Sequence, residues 1–262
     1  MNETSLKKTL SKLNIGGLRY FDSIGSTNDE ALAWATEDAR DLSIVIADEQ
    51  TQGRGRLNRK WFTPKGSALA FSLILRPAAR APMLPHLSRT VGLAALSIAE
   101  SCRTLGLAPR IKWPNDILLN GKKAAGILIE TVWSGDTVDS IVVGMGLNVH
   151  SASIPPQDFL QFPATSLEGE LKREPPAREE ILFEALSSFI RWRERMGADE
   201  LIKAWEETLA FRGEQVQIHA GGEAQVTGEL LGLESDGSLR LRDANDKSIT
   251  VRFGDVSLRP AA

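Results

Sequence analysis

The chain is short of the residues that most often carry metal and redox chemistry. It has one cysteine, Cys102, and three scattered histidines, His86, His150 and His219. A single cysteine excludes an internal disulfide framework and suits a reducing compartment. It also leaves too few ligands for a structural zinc site of the usual spacing. Cys102 lies in an apolar helical stretch, so its expected place is the core. Nowhere does an apolar run approach the ~18 residues needed to cross a bilayer. The N-terminal stretch MNETSLKKTLSKL has no apolar secretory core, and Leu6, Leu10 and Leu13 fall on one helical face instead. Positive charge is not in excess either. Lys and Arg number 31 against 34 Asp and Glu, a net charge of −3. A protein whose main work is coating nucleic acid is usually strongly basic. Internal repeats and low-complexity tracts are missing too. What remains is 262 residues, 42% hydrophobic and 25% charged, enough for one large domain or one medium and one small at about 150 residues each.

Residues 17–148 alternate strand-like and helix-like segments. Leu18–Phe21 reads as a short strand, and a helix opens at Ser26, where Thr27 and Glu30 have capping-box spacing. Ser43–Ala47 is a buried β-branched run, 49–66 a polar basic loop, and Ser67–Leu75 a strand. A long helix spans Pro82–Gly106, with Leu84, Leu87, Val91, Leu93, Leu96 and Ile98 on its apolar face and Gly106 as C-cap. Arg110–Trp113, Ile117–Leu119, Ala125–Val132 and Ser140–Val143 follow as strands, with a hairpin signal at Asn120-Gly121. Antiparallel pairing therefore contributes to the sheet. Residues 150–176 read as irregular. Arg178–Met196 and Asp199–Phe211 read as helices. From Gly213 the texture changes to short strands, Val216–Ile218, Ala224–Leu233, Leu239–Leu241 and Ile249–Phe253, broken by turns such as Ser235-Asp236-Gly237. The expected organisation is an α/β (α+β) domain over 1–212, a mixed sheet with flanking helices, then a small β-barrel over 213–262.

Four segments carry chemistry. Arg54, Arg56, Arg59 and Lys60 crowd one loop with Gly53, Gly55 and Trp61. Arginine forks suit phosphate or carboxylate, the glycines permit close backbone approach, and the tryptophan offers a stacking face. A solvated basic surface loop would look similar. No third glycine completes a dinucleotide fingerprint, and no Walker lysine follows. Lys112-Trp113-Pro114-Asn115-Asp116 and Lys123-Ala124-Ala125-Gly126 set two lysines around a stiffened turn and a strand entrance; an edge-strand lysine that discourages aggregation is the bland alternative. Gly144-Met145-Gly146-Leu147-Asn148 puts two glycines at the close of a strand, with an amide beyond. Ser26-Thr27-Asn28 sits at a helix N-terminus, which either caps the helix or binds a polar ligand.

Taken together, and in this order along the chain, these segments resemble the biotin–protein ligase family. Ser-Thr-Asn at 26–28, Glu-Gln-Thr-Gln-Gly-Arg-Gly-Arg at 49–56 with Arg59 and Trp61, Lys-Trp-Pro-Asn-Asp at 112–116, Lys-Ala-Ala-Gly-Ile-Leu at 123–128 and Gly-Met-Gly-Leu-Asn at 144–148 carry the likeness. It covers about residues 18–260, including the C-terminal β segment, which it implies to be SH3-like. Asn58 stands where the family often has glycine; asparagine tolerates a left-handed backbone. About 17 residues precede the likeness, fewer than the helix-turn-helix domain with which some members repress transcription. A form without that domain is the expectation.

The resemblance implies two steps: activation of biotin by ATP to biotinyl-5′-AMP, then transfer to a lysine of a biotin carboxyl carrier domain. It implies biotin, ATP and Mg²⁺, with the metal ligands unassigned. Lys123 matches the lysine that contacts the biotin carboxylate and α-phosphate, the principal catalytic residue. Lys112, Asn115 and Asp116 match positions near the nucleotide; Asp116 orients a water or the attacking lysine. Arg54, Arg56 and Arg59 belong to a loop that folds over biotin and the adenylate phosphate, with Gly53 and Gly55 beside biotin. That loop should be mobile when empty, with Glu49 as its nearest carboxylate partner. Ser26, Thr27, Asn28 and Gln50 match the biotin ureido contacts, and Gly126 the backbone packed on biotin. Trp61 and Asn148 match the adenine side, and Gly66 and Ser72 lie along the biotin tail. A cytoplasmic enzyme, monomer or homodimer, without DNA or membrane partners, is implied. The rivals are lipoate–protein ligase, a nucleic-acid-binding module built on Arg54–Lys60, and a non-catalytic biotin-binding protein.

Overall fold

A computed structural model describes residues 1–77, 83–156, 158, 160, 162–220, 225–252 and 256–260. Expected element ends at Pro82, Ala224 and Phe253 lie outside the described residues, as does the side chain of Leu84. The first helix, α1 (Glu3–Leu10), is closed by a capping box between Asn2 and Ser5. It buries Leu6 and Leu10, a gain of about 1.5–3 kcal/mol each. Strand β1 (Gly17–Phe21) leads to α2 (Thr27–Thr36), β2 (Ser43–Ala47), β3 (Ala68–Leu75) and the long α3 (Met83–Thr104). Then come β4 (Pro109–Lys112), β5 (Asp116–Leu119), β6 (Lys122–Ser134) and β7 (Thr137–Asn148). Helices α4 (Leu167–Leu171), α5 (Arg178–Arg193) and α6 (Asp199–Thr208) complete this part.

The seven strands form one mixed sheet in the order β1-β2-β3-β7-β6-β5-β4. Only the β1–β2 pair is parallel; the other neighbours are antiparallel. The expected hairpin joins β5 to β6, with Asn120 and Gly121 both at positive φ, 47° and 73°, as a two-residue turn of that type requires. Gly106, at φ 84°, ends α3 with Leu107 N–H donating back to Cys102 O at 3.2 Å, the bond pattern of a glycine C-cap.

Two layers cover the sheet. Ile44 and Ile46 of β2 and Leu69, Phe71 and Leu73 of β3 face the large core shared with α1, α3, α5 and α6. Val45, Ile74 and Val142 face the other way, against Ala31 and Ala35 of α2. This alternation is the period of two that a strand imposes. On the α2 side the middle strands run out of bulk: Ser72 pairs with Gly144 and Ala70 with Gly146, and Gly146 with Gly126. That run of small residues leaves a floor on which other groups can lie.

Three local expectations change. The Thr27–Glu30 capping box does not form; Ser26 occupies the N-cap position without a side-chain bond, and Glu30 receives Arg19 at 2.8 Å. Gly144 and Gly146 do not close a strand but lie inside β7, which runs on to Asn148. Glycine there answers to close neighbours: a Cβ at Gly144 would collide with the Asn28 amide, and one at Gly146 with the Trp61 ring. The left-handed residue in the arginine loop is Leu57, at φ 56°, rather than Asn58.

The C-terminal segment is a five-stranded antiparallel sheet, the SH3-like unit. It contains β8 (Gln215–Ala220), β9 (Gln225–Leu233), β10 (Leu239–Arg242), β11 (Ser248–Val251) and β12 (Val256–Pro260), ordered β11-β10-β9-β8-β12. Val216, Ile218, Leu230, Leu239 and Leu241 form its inner face. Its Ser235–Gly237 turn meets the first part through Trp113, whose indole N–H donates to Gly237 O at 3.0 Å. Among the described residues, no helix is long and apolar enough to cross a membrane.

Candidate active site

The floor of small residues opens into a cleft of about 1350 Å³. That exceeds the range of roughly 300–1,000 Å³ typical of one small-ligand pocket. Its lining includes Ser26, Thr27, Asn28, Gln50, Gly53, Arg54, Gly55, Arg56, Arg59, Trp61, Lys112, Asn115, Asp116, Lys123, Gly126 and Asn148. Residues that lie apart in sequence, from four segments, are thus brought to one cavity.

One wall is a buried polar network. Ser72, fully buried on β3, donates to Asn28 Oδ1 at 2.6 Å and shares a second hydroxyl contact with Thr27 Oγ1 at 2.8 Å. Thr27 offers its backbone N–H and its hydroxyl to Gln50 Oε1, at 2.9 and 3.1 Å. Gln50 Nε2 donates to Thr63 Oγ1 at 3.2 Å. The helix start that sequence reads as a cap or a ligand site is therefore held by a glutamine from the next loop. A neutral ligand with amide-like edges would meet oriented donors and acceptors here without any net charge. Ser72 sits beneath this wall as a support. Gly66, at φ 76°, neighbours Arg178 and is not among the lining residues.

The opposite side carries charge. Lys123 Nζ lies 2.6 Å from Asp116 Oδ1, both side chains partly buried. A β-bulge produces this aim. Leu118 pairs with Lys123 and Ile117 with Ala125, so Ala124 is an extra residue. The shift turns Lys123 and Gly126 toward the same face, which an unbroken strand would forbid. Gly126 then makes room for the pair: a Cβ there would lie 3.3 Å from Lys123 Nζ and 3.6 Å from Asp116 Oδ1. Lys123 Nζ also stands 5.6 Å from the centre of the Trp61 ring. Lys112, nearly fully buried, holds its ammonium 4.2 Å over the Phe162 ring, a cation–π contact. Asn115 donates to Ile127 O at 2.7 Å and receives Arg56 at 3.2 Å. Asn148 donates to Thr165 O at 3.0 Å.

The arginine loop roofs the cleft. It folds into a small hairpin, with Trp61 N–H donating to Gly53 O at 2.8 Å and Gly55 N–H to Arg59 O at 2.7 Å. Glu49 is not its anchor. Arg54 instead reaches Glu130 end-on, through Nη1 and Nη2 at 2.9 and 2.7 Å, and Asp29 at 2.6 Å. The Glu130 hydrogen bond leads the causes that raise the Arg54 pKa above its ordinary value. The Trp61 indole N–H is buried without a partner among the described residues, and it is a free donor on the cleft wall.

Sequence reasoning missed Glu130 and Asp29, 76 and 25 residues from Arg54, because nothing local marks them. The stretch 150–176, which reads as irregular and without a site role, supplies Ser153, Pro155, Pro156, Leu160, Phe162 and Ala164 to the cleft wall. Proline and apolar residues in an irregular stretch were the one signal there. Of the lining carboxylates, Asp116 is the one beside the lysines; Glu49 is the other. A group of His150, Glu168 and Glu174 lies within 4.8 Å of one another, none of them lining the cleft.

Comparison with known proteins identifies the family. Residues 20–148 match the biotin/lipoate A/B protein ligase family. The biotin–[acetyl-CoA-carboxylase] ligase of Paracoccus denitrificans is 37% identical over 226 residues, covering 83% of this chain and 90% of that protein. The bifunctional ligase/repressor BirA of Bacillus spizizenii is 35% identical, over 86% of this chain and 69% of its own length. The biotin protein ligase from Aquifex aeolicus, solved in complex with biotin and ATP, superposes with a TM-score of 0.80 at 27% identity, covering 94% of this chain and 99% of that one.

Proposed function

The chain belongs to the biotin/lipoate A/B protein ligase family, and on that footing we propose how its cleft works as a biotin–protein ligase. The enzyme joins biotin to ATP as biotinyl-5′-AMP, then passes biotin to a lysine of the carrier domain of a carboxylase. The observation that carries this reading is one cleft large enough for two ligands, with a neutral hydrogen-bonding wall at one end and the Lys123–Asp116 pair at the other.

In the first step the biotin carboxylate attacks the α-phosphorus of ATP and pyrophosphate leaves. Anions meet, so the site must aim positive charge at the reacting centre. Lys123 is assigned to bridge the carboxylate and the α-phosphate; its ammonium is held by Asp116 at 2.6 Å. Arg56, tethered to Asn115, and Arg59 bring further charge from the roof, and Lys112 from the floor. The ureido ring is assigned to Ser26, Thr27, Asn28 and Gln50, with Gly53, Gly55 and Gly126 giving backbone access. The Trp61 ring and Asn148 are assigned to adenine. Mg²⁺ would arrive with ATP and supply charge neutralisation at the phosphates; Asp116, the lining carboxylate beside the lysines, is the residue we assign to hold it or its waters. In the second step the acceptor amine attacks the acyl carbon, the acyl–phosphate bond breaks and AMP leaves. A closed roof keeps water from the anhydride in between.

The catalytic part is assigned to 1–212 and the SH3-like part to 213–262. The setting we assign is the cytoplasm, as monomer or homodimer, with no DNA or membrane partner.

The decisive measurement is the mass of a carrier-domain acceptor after incubation with the protein, biotin and MgATP, beside a lipoate control. A gain of one biotinyl group that depends on ATP is expected. A gain with lipoate alone would move the chain to the sister activity, and no gain with either would withdraw the Lys123 assignment.

A further inference from the structure

Arg54 is the first arginine of the roof, yet its guanidinium is not turned toward Lys123 and the phosphate end of the cleft. It is spent on two carboxylates outside the cleft lining. Both nitrogens of its fork meet both oxygens of Glu130, and one also meets Asp29. Neither Glu130 nor Asp29 lines the cavity. Glu130 is fixed on β6, paired with Val142 of β7. Asp29 stands in the first turn of α2, where a carboxylate is favoured by the helix dipole. Glu130 Oε2 also accepts from Asn28 Nδ2 at 2.8 Å. One carboxylate therefore ties the roof and the neutral wall together.

We propose that Arg54 is a latch and Glu130 its catch: the pair, with Asp29, fixes the 53–61 roof over the biotin end of the cleft, and Glu130 and Asp29 are positioning residues for the reaction. This deepens the ligase reading and rests on it. The geometry favours it over a phosphate-binding role for the Arg54 side chain. An end-on, two-armed fork between guanidinium and carboxylate is directional and uses both terminal nitrogens at once. An arginine so held has one edge committed and anchors the backbone on either side. That backbone pairs with Lys60 across the roof hairpin and carries Gly53 and Gly55 to the cavity. Freed from the latch, the roof would keep the Arg56–Asn115 contact at 3.2 Å and its own hairpin bonds.

The test uses the full chain and the variants E130Q, R54A, R54K and the double variant R54A/E130Q. Two readouts are taken. The first is chymotryptic cleavage of the unliganded protein at Leu57 and Phe62, both exposed and untouched by every variant. The second is biotin-dependent ATP–pyrophosphate exchange, with kcat and KM for biotin separated. E130Q is expected to speed cleavage and raise KM for biotin about tenfold, the loss of a charge-assisted hydrogen bond, with kcat within about threefold. R54K keeps the charge without the fork and should fall between wild type and R54A; it also decides the matter if E130Q folds poorly. The double variant should cleave no faster than R54A alone. Unchanged cleavage in E130Q, or effects of R54A and E130Q that multiply, would overturn the latch. So would an R54A enzyme with a protected roof and a kcat about a hundredfold lower, since Arg54 would then act on the reacting atoms. If wild type shows no biotin-dependent exchange, the ligase reading fails, while the cleavage pattern still decides the latch.

Discussion

The two sides of the cleft are held by opposite kinds of bond. The wall at Ser26–Asn28, Gln50 and Ser72 is uncharged and, Gln50 apart, buried; its members bond mostly to one another, with Thr63 and Glu130 completing the network. The roof at 53–61 is exposed and charged, and is tied to the body through Arg54, whose side chain is 38% exposed. Hydrogen bonds buried away from water cost the full desolvation of any group left unmet. Ion pairs near the surface are worth about 0–1 kcal/mol and yield to salt. The wall is therefore built to stay and the roof to let go. A ligase that admits two substrates, guards an anhydride and then presents it to a protein needs one of each. Differences in burial alone assign the parts.

The largest effect expected from this division falls on the lysine between them. Lys123→Ala removes the ammonium beside Asp116 while sparing both wall and roof. It should slow biotin-dependent pyrophosphate release by ~10²-fold or more at saturating substrates, as removal of one preorganised donor does. KM for biotin should rise as well, since Lys123 is assigned to the biotin carboxylate, but the fall in kcat should be the larger effect, in contrast to E130Q. Rapid-quench measurement of the first turnover separates the two; a rate within threefold of wild type would remove Lys123 from its role.

A smaller effect should mark the wall. Ser72→Ala takes away the donor under Asn28 and Thr27, both nearly fully buried. The expected loss of stability is about 1–3 kcal/mol, read as a lower urea midpoint with an unchanged slope. Biotin affinity should fall with it, because Asn28 would be free to turn. A change under ~0.5 kcal/mol would mean that the wall is held by backbone packing instead of by its side chains, and the contrast with the roof would lose half its ground.

How much of this was legible in the sequence follows from the range over which each signal acts. The Asn120-Gly121 hairpin and the Gly106 cap are local, and both formed. The cleft segments were recognisable because each is a compact string of unusual residues, and the fold brings all of them to one cavity. Gly144 and Gly146 misled because glycine usually ends a strand; here the reason for it is Asn28 and Trp61, which arrive from other elements. The bulge at Ala124 that aims Lys123 has no mark of its own in a run of lysines and alanines. For the arginine loop the local sequence offers Glu49 as the nearest carboxylate, whereas the partners of Arg54 come from a helix and a strand, Asp29 and Glu130.

The smallest effect is also the one that tests the contrast most directly. The Debye length shrinks from ~10 Å at 0.1 M salt to ~3 Å at 1 M. The roof's ion pairs to Glu130 and Asp29 should feel that change, and the uncharged wall should not. With about 1 kcal/mol or less at stake in an exposed pair, chymotryptic cleavage at Leu57 and Phe62 of the unliganded enzyme should quicken no more than about fivefold between low and high sodium chloride. The protease's own salt response is divided out with a peptide control. In E130Q most of this response should vanish, because the pair that salt weakens is already broken. A wild-type roof indifferent to salt would mean that the loop is held by its hairpin and by the Trp61 ring on Gly146. The roof would then be as permanent as the wall, and opening would have to come from elsewhere in the fold.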